Sequence, residues 1–413
     1  MILRKYNDFC RLFLGRLISN CGDSIYTLVL SWYVLETTNS AWYVGLLNFL
    51  IFIPNTFSFI FGKKIDSYPK KNLLVILEWA QLLAVLGIIL GMSLREIHAS
   101  LSLTIILTCV FLASMVGLNT YTVQDALVPK LIPTKDLAKA EMYMSVAYNG
   151  TDYVFTAISG FLLSVISYIP LLFIDIVTFL SSILFFRRIE FQEIIEQTNE
   201  RTDFLSGLRF IWHNKVVLAI TLGGAIANFL FAGLNVYQLL IAREVGNSAF
   251  YGLLVSASAI GTLVGTTLGA NLVLQRLSVG KAFWLATALF GTGIGFTALF
   301  RNSFSLLLIW FLSCLFLGIT HVTQKPILQT EIPDEHLGEV FSAFYTVTIP
   351  TLALGSLIFG FLANFLSWRL FVVLFAFSFI LVSLLYFSNK TLRQYDISYH
   401  GVSLLSYLHF PLS

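Results

Sequence analysis

Acidic side chains lie inside long apolar stretches of this sequence, where a charge is seldom accidental. Asp23 follows Asn20 by three residues and Asp152 follows Asn149 by three, so each acid shares a face with its amide if the stretches are helical. A charge at the centre of a membrane costs about 2.5–3.5 kcal/mol on insertion scales. Carboxylates placed there could carry a proton or contact a cationic ligand. The alternative is a polar contact with a neighbouring helix.

Other polar residues within apolar stretches are further candidates for the same chemistry. Glu78 lies nearer the end of its stretch, and we interpret it more readily as a structural partner of nearby lysines than as a proton site. Asp175 could line the mouth of a cavity or pair with Arg369. Asn228 and Asn235 are seven residues apart on one helix face and could offer hydrogen bonds to a substrate.

Several kinds of chemistry lack their sequence signatures. No phosphate-binding Gly-rich loop occurs, which excludes ATP-driven transport by this chain alone. No zinc-binding histidine motif occurs either. The four cysteines are isolated from one another. His321 titrates near neutrality and could be a proton site, although a lone histidine more often satisfies a local contact. We therefore expect no catalytic residue, no metal site and no cofactor.

The composition requires that most of the surface avoid water. Of 413 residues, 57% are hydrophobic and 11% are charged, with a mean hydropathy of +0.83, whereas a soluble domain carries about a quarter charged residues. A membrane-spanning helix needs about 20 apolar residues. Twelve such stretches predict an all-α membrane protein, with spans near 12–35, 41–62, 72–94, 99–122, 140–166, 168–186, 217–242, 248–274, 281–300, 303–323, 339–366 and 369–388.

The distribution of basic residues predicts the orientation of these spans. Lys and Arg collect in cytoplasmic loops. With both termini in the cytoplasm, only four of the 25 basic residues lie on the outer side of the membrane, namely Arg95, Arg243, Arg301 and Arg369. This count assigns Arg16 to the cytoplasmic side. The net charge of +3 is too small to indicate a nucleic-acid partner.

One polar stretch divides the chain into two sets of six spans. We predict an N-terminal half at 1–186, a linker at 187–215, a C-terminal half at 216–389 and a cytoplasmic tail at 390–413. Within the linker, apolar residues from 204 to 212 recur at helical spacing beside basic residues. That pattern is typical either of a helix on the membrane surface or of a soluble linker helix.

The two sets resemble each other in sequence. At an offset of 200 residues, Ile132-Pro133 matches Ile332-Pro333, and the triplet Gly-Phe-Leu at 160–162 matches the same triplet at 360–362. Six spans per copy give both copies the same orientation. The expected arrangement is two pseudo-symmetric halves with a central cavity that opens alternately to each side.

The loop after the second span carries the most specific motif. Segment 62–71 reads Gly-Lys-Lys-Ile-Asp-Ser-Tyr-Pro-Lys-Lys. It resembles the signature of the major facilitator superfamily at Gly62, Asp66, Lys70 and Lys71, with a serine in place of its arginine and a proline in place of its second glycine. The resemblance implies a cytoplasmic gate motif in which Asp66 caps a helix end. The alternative is a basic loop that only fixes topology.

Further segments resemble the macrolide-efflux and siderophore-exporter branch of that superfamily. They are residues 13–19 leading to Gly22-Asp23, residues 131–137, and residues 332–342. The chain departs from that branch at Ala113, where an arginine is common, and at Thr156, where antiporters have proline. The second copy of the loop motif is also degenerate, because Val273 stands at the position that corresponds to Asp66.

The resemblance implies a secondary transporter of the cell membrane that exports an amphipathic molecule, either a macrolide-like drug or a siderophore-like metabolite. No basic residue is expected deep in the first half to pair with Asp23 or Asp152, and unpaired acids in apolar surroundings can bind protons, which favours proton coupling. The alternatives are an importer of a small metabolite and a transport-inactive sensor or immunity protein. The expected partners are substrate, protons and lipid, and we expect a functional monomer.

The gate motif makes a direct prediction. Asp66→Asn should impair transport while the protein remains in the membrane, because a carboxylate near a helix N-terminus contributes about 0.3–1 kcal/mol to that contact. Uptake assays and quantification of the membrane-inserted protein would check it. Normal transport by the variant would remove the gate assignment.

Overall fold

The computed structural model describes residues 2–57, 68–191, 204–333 and 336–395, and these ranges are helical without a strand. Helices suit such an apolar chain, because every backbone polar group is satisfied within the segment when no water is available. The chain divides into two compact units. The first unit comprises 1–199 with 247–252, and the second comprises 200–246 with 253–413.

Seven helices of at least ten residues lie in the described part of the first unit. The longest, α1 and α4, exceed the length that a membrane span requires, and a π-helical turn at Val146–Gly150 leads into α6. Their bounds are α1 Asn7–Thr38, α2 Ala41–Phe52, α3 Lys70–Ser93, α4 Ala99–Leu131, α5 Thr134–Ser145, α6 Thr151–Val165 and α7 Tyr168–Arg187.

The second unit contains a further set of helices. A π-helical turn at Gly265–Gly269 follows α10, and the short helix Lys390–Arg393 follows α14. The bounds are α8 Phe204–His213, α9 Lys215–Val245, α10 Ser248–Val264, α11 Val279–Phe296, α12 Ser303–Glu331, α13 Leu337–Leu362 and α14 Trp368–Ser388, with α10 beginning in the segment grouped with the first unit.

Nine helices of the described ranges are long and apolar enough to cross a membrane. They are α3, α4, α7 and every helix from α9 to α14. The other three predicted spans fall on α1, on the shorter apolar segment Ala41–Phe57, and on α6. Polar residues within α1, among them Asn20 and Asp23, lower its hydropathy. The all-helical membrane fold is thus confirmed, and the count of twelve stays a prediction.

The repeated Ile-Pro pair ends a helix in each unit. Helix α4 ends at Leu131 and α12 at Glu331, and the following isoleucines are extended, with φ −130° and ψ 131° at Ile132 and φ −100° and ψ 123° at Ile332. A residue that precedes proline is restricted to such conformations. The sequence repeat therefore has a local structural counterpart at these two helix ends.

A helix is present in the predicted linker, at Phe204–His213. Gly207 lies against the backbone of Glu339 in α13, and Ser206 donates a hydrogen bond to the Glu339 carboxylate. Leu205 and Trp212 are 68% and 74% exposed. One face of α8 therefore packs on the second unit, and an apolar face remains uncovered by the described chain.

Close helix contacts in the second unit depend on small residues, and they predict the effect of a single methyl group. A Cβ at Gly265 would overlap the Leu315 carbonyl of α12, whereas a Cβ at Gly338 would meet nothing within 4 Å. Gly265→Ala should destabilise the protein by about 1–3 kcal/mol through overpacking, and Gly338→Ala serves as the control. Thermal unfolding in detergent would check this. Equal melting temperatures for the two variants would contradict it.

Candidate functional site

A buried arginine lies at the centre of the first unit. The Arg16 side chain in α1 is 1% exposed, and its Nη2 lies 3.6 Å from Oδ2 of Asp23. Its guanidinium carbon lies 3.8 Å from the ring centroid of Tyr121 and 5.2 Å from that of Tyr148. The prediction that Asp23 has no cationic partner is therefore wrong: Arg16, which the count of basic residues placed with the cytoplasmic segments, lies buried in α1 beside it.

Asn20 links this arginine to three other parts of the unit. Its carboxamide oxygen accepts hydrogen bonds from Arg16 at 2.7 Å and from the Tyr121 hydroxyl at 3.0 Å. Its amide nitrogen donates to the Tyr148 carbonyl and to the Thr151 hydroxyl, both at 2.7 Å. Asn20 thus joins α1 to α4, to the π-helical turn and to the start of α6, and its whole hydrogen-bonding capacity is used within the protein.

The two predicted midplane acids differ in their surroundings. The Asp23 side chain is 26% exposed and pairs with Arg16. Asp152 is exposed, and it accepts hydrogen bonds from Ser24 at 2.7 Å and from Thr156 at 3.4 Å. The side chain of Asn149 lies outside the described part of the structure. Asp152 therefore contacts α1 within the same unit, as an interhelical polar contact does.

Glu78 is fully buried between three helices. Its carboxylate accepts hydrogen bonds from Ser19 of α1, at 3.2 Å for Oε2, and from Ser182 of α7. The expected pairing with Lys70 or Lys71 is not formed. Helix α3 therefore meets α1 and α7 at this carboxylate.

Asp175 has a buried carboxylate that is only partly hydrogen-bonded by the described residues. It is 0% exposed, one oxygen accepts a hydrogen bond of 3.4 Å from Thr178, and Oδ2 has no partner among the described residues. A Cβ at Gly22 would overlap the other oxygen, Oδ1, so glycine lets α1 approach α7 at this point. Arg369, the partner considered for Asp175 in the sequence, lies 3.8 Å from Glu244 within the second unit.

Polar contacts also anchor the ends of the first unit's helices. Lys5 and Tyr6 both donate to the Asp136 carboxylate of α5 at 2.8 Å, and the hydrogen bond to Asp136 raises the pKa of Lys5. Asp8 accepts from the backbone N–H of Glu190 at 3.1 Å. These contacts fix the start of α1 relative to α5 and the end of α7.

The predicted gate motif is only partly within the described ranges. Gly62 and Asp66 lie outside them. Lys70, the first residue of α3, is 2% exposed, and Lys71 is half-buried.

The second unit contains a cavity of about 280 Å³. Asn228 lines it, and its amide donates to the Thr348 carbonyl at 3.0 Å, whereas Asn235 is not among its lining residues. His321 also lines the cavity, from α12. The described residues contain no group of three His, Cys, Asp or Glu side chains that could hold a metal ion.

Sequence reasoning missed Arg16 and the two tyrosines that cover it. A signal for Arg16 existed, because it lies seven residues before Asp23 and so shares its helix face. The tyrosines carry no such signal, since they are more than 100 residues away in the chain.

The burial of Arg16 predicts a stability effect. Removing one partner of a buried ion pair costs about 3–5 kcal/mol, and the partial exposure of Asp23 places Arg16→Ala near the lower end of that range. Thermal unfolding in detergent would measure it. Arg95→Ala, which removes an exposed arginine, is the matched control and should change little. A neutral effect of Arg16→Ala would show that the guanidinium is not held as described.

Known proteins place this architecture in a family. A family model described as transmembrane secretion effector, of the major facilitator type, matches residues 4–405. Macrolide efflux protein A of Streptococcus pyogenes is 22% identical over 356 residues, covering 82% of this chain and 86% of that protein. The staphyloferrin A transporter of Staphylococcus aureus is 23% identical over 404 residues, covering 95% and 97%.

Solved structures show the same fold at low identity. A bacterial homologue of the iron transporter ferroportin, in an inward-facing state, superposes with a TM-score of 0.74 at 16% identity, covering 92% of this chain and 98% of that chain. The nucleoside transporter NupG superposes with a TM-score of 0.69 at 13% identity, covering 94% of this chain and 100% of that chain. With the match over residues 4–405, the chain belongs to the transmembrane secretion effector family of major facilitator transporters, which are integral membrane transporters rather than enzymes.

Proposed function

We propose that the protein is a proton-coupled exporter of an amphipathic small molecule in the cell membrane. The relatives named as a macrolide efflux protein and a staphyloferrin A transporter support a macrolide-like or siderophore-like substrate. In this proposal twelve spans form two six-helix halves, 1–186 and 216–389, joined by the linker 187–215. Both termini and the tail 390–413 are cytoplasmic, and the protein works as a monomer surrounded by lipid.

The charge balance of the first unit carries the proposal. Glu78 and Asp175 are fully buried and Asp23 is largely buried, and the buried guanidinium of Arg16 pairs with Asp23. If all three were ionised, Arg16 would compensate Asp23, while Glu78 and Asp175 would remain charged in apolar surroundings with only hydroxyl partners, at a cost of several kcal/mol per ion. A carboxyl group avoids that cost by binding a proton. This set of acids is therefore suited to take up and release protons.

Asp23 is the coupling site in this proposal, because it alone combines contact with Arg16 and access to solvent. Protonation of Asp23 would remove the charge that holds Arg16 at 3.6 Å. Arg16 also binds Asn20 and lies over Tyr121 and Tyr148. A shift of the guanidinium would then act on α4 and on the π-helical turn before α6. The change of charge would thereby become a movement of helices within the unit.

The remaining predicted residues have supporting roles in the proposal. Asp152 with Asn149 and Asn228 with Asn235 contact the substrate, while Glu78 and Asp175 hold helices together and adjust the charge near Asp23. The loop residues Gly62, Asp66, Lys70 and Lys71 close the cytoplasmic side.

Substitution of Asp23 tests the coupling. In proteoliposomes with an imposed pH gradient, Asp23→Asn should slow transport of radiolabelled erythromycin by at least about tenfold, which corresponds to about 1.4 kcal/mol in the barrier. The residual transport should not respond to a protonophore, since the variant has no proton to exchange at this position.

Glu96→Gln is the matched control, because Glu96 is exposed at a helix end of the same unit. It should transport as the unsubstituted protein does. If collapse of the pH gradient leaves transport by the unsubstituted protein unchanged, the proposal of proton coupling is wrong. If Asp23→Asn transports at the full rate and still responds to the pH gradient, Asp23 is not the coupling site.

A further inference from the structure

The geometry points to a binding site for an uncharged ring system that bears a carbonyl, amide or hydroxyl group, in the cavity of the second unit. This inference rests on the proposed export function and narrows its substrate class. The relatives suggest a macrolide-like or a siderophore-like substrate. The inference favours an uncharged ring in this cavity over a ligand that carries several negative charges. Three properties of the cavity support it: the floor, the available polar groups and the charge.

The floor of the cavity is aromatic and buried. Phe283 and Phe290 of α11 and Phe379 of α14 are each exposed by 3% or less, and all three line the cavity. The rings of Phe290 and Phe379 meet edge to face at 5.1 Å. The cavity therefore extends into the interior of this unit, and it presents ring faces and edges that suit another planar or alicyclic ring.

Two polar side chains on the cavity wall have unused hydrogen-bonding capacity. His321 and Gln324 of α12 line the cavity, and their side chains form no hydrogen bond with any residue in the described ranges. The hydroxyls of Thr287, Thr320 and Thr348 differ, because each donates to a carbonyl four residues earlier in its own helix. The imidazole and the carboxamide are thus among the groups available to orient a polar substituent on a ligand, together with the carboxamide oxygen of Asn228.

Among the described residues that line the cavity, none is Asp, Glu, Lys or Arg. An ionised ligand would lose its hydration there without gaining a counter-charge, a cost that a neutral group with hydrogen-bond partners avoids. The volume of about 280 Å³ lies just below the range of about 300–1,000 Å³ for ligand pockets. The cavity would therefore accept one ring system, not a whole large molecule.

Equilibrium dialysis of the purified, full-length protein in detergent would test this with two probes of one shape. The probes are 7-methoxycoumarin-3-carboxamide, which is neutral, and 7-methoxycoumarin-3-carboxylate, which is ionised at pH 8. At that pH an ordinary histidine side chain is uncharged. Micelles without protein correct for partitioning. We expect the carboxamide to bind at least about tenfold more tightly, because only the carboxylate is buried as an uncompensated charge.

Variants assign the binding to this cavity. A Cβ at Gly224 would lie 3.6 Å from Phe344 and from Thr348, so a side chain fits there and Gly224→Leu would fill cavity space. This variant should lose carboxamide binding by about tenfold or more, while Gly338→Leu, in open surroundings, should not. Gln324→Leu, which keeps the size of the side chain, should weaken binding by about three- to tenfold.

Equal binding of the two probes would overturn the inference, as would unchanged carboxamide binding by both Gly224→Leu and Gln324→Leu. If Gly224→Leu does not fold, the Gln324→Leu comparison decides alone. No gradient is present in this experiment. A failure of proton coupling would therefore leave its result unaffected, and a failure to bind the carboxamide would not disprove transport of another substrate.

Discussion

The burial of one guanidinium group is the constraint on which the rest of the first unit depends. Arg16 is 1% exposed within an apolar helix bundle, and an unpaired charge in such a place would be very costly. The surrounding chain therefore supplies a carboxylate, a carboxamide and two aromatic rings, from Asp23, Asn20, Tyr121 and Tyr148. A cation over aromatic faces gains up to about 2 kcal/mol when desolvated. Together these groups determine where α4 and the turn before α6 meet α1.

The two units use different physical means at their polar positions. The first contains ionisable groups in its interior, with Glu78 held by serine hydroxyls and Asp175 left with an unpartnered oxygen among the residues described. The second has a cavity lined by aromatic rings and neutral polar side chains. Charge is suited to respond to protons, and an uncharged aromatic wall is suited to hold an amphipathic molecule. This division agrees with the proposal that coupling belongs to the first unit.

Hydropathy and charge patterning could predict the helical membrane fold, because each depends on residues close together in the sequence. The end of helices α4 and α12 at the repeated Ile-Pro pair was predictable for the same reason. Arg16 was misplaced because a count of basic residues assumes that those near the end of a span reach the surface, whereas Arg16 lies nine residues inside α1. Its partners Tyr121 and Tyr148 depend on tertiary packing, which a single sequence does not reveal. The same is true of Glu78, whose serine partners come from α1 and α7.

The central claim is that the carboxyl group facing Arg16 binds and releases the coupling proton, and infrared difference spectroscopy of the purified protein between two pH values tests it most directly. We predict that a carboxylic-acid carbonyl band appears as the pH is lowered, is absent in Asp23→Asn and persists in Glu96→Gln. A band that is unchanged in Asp23→Asn, or the absence of any such band from the unsubstituted protein, would contradict it.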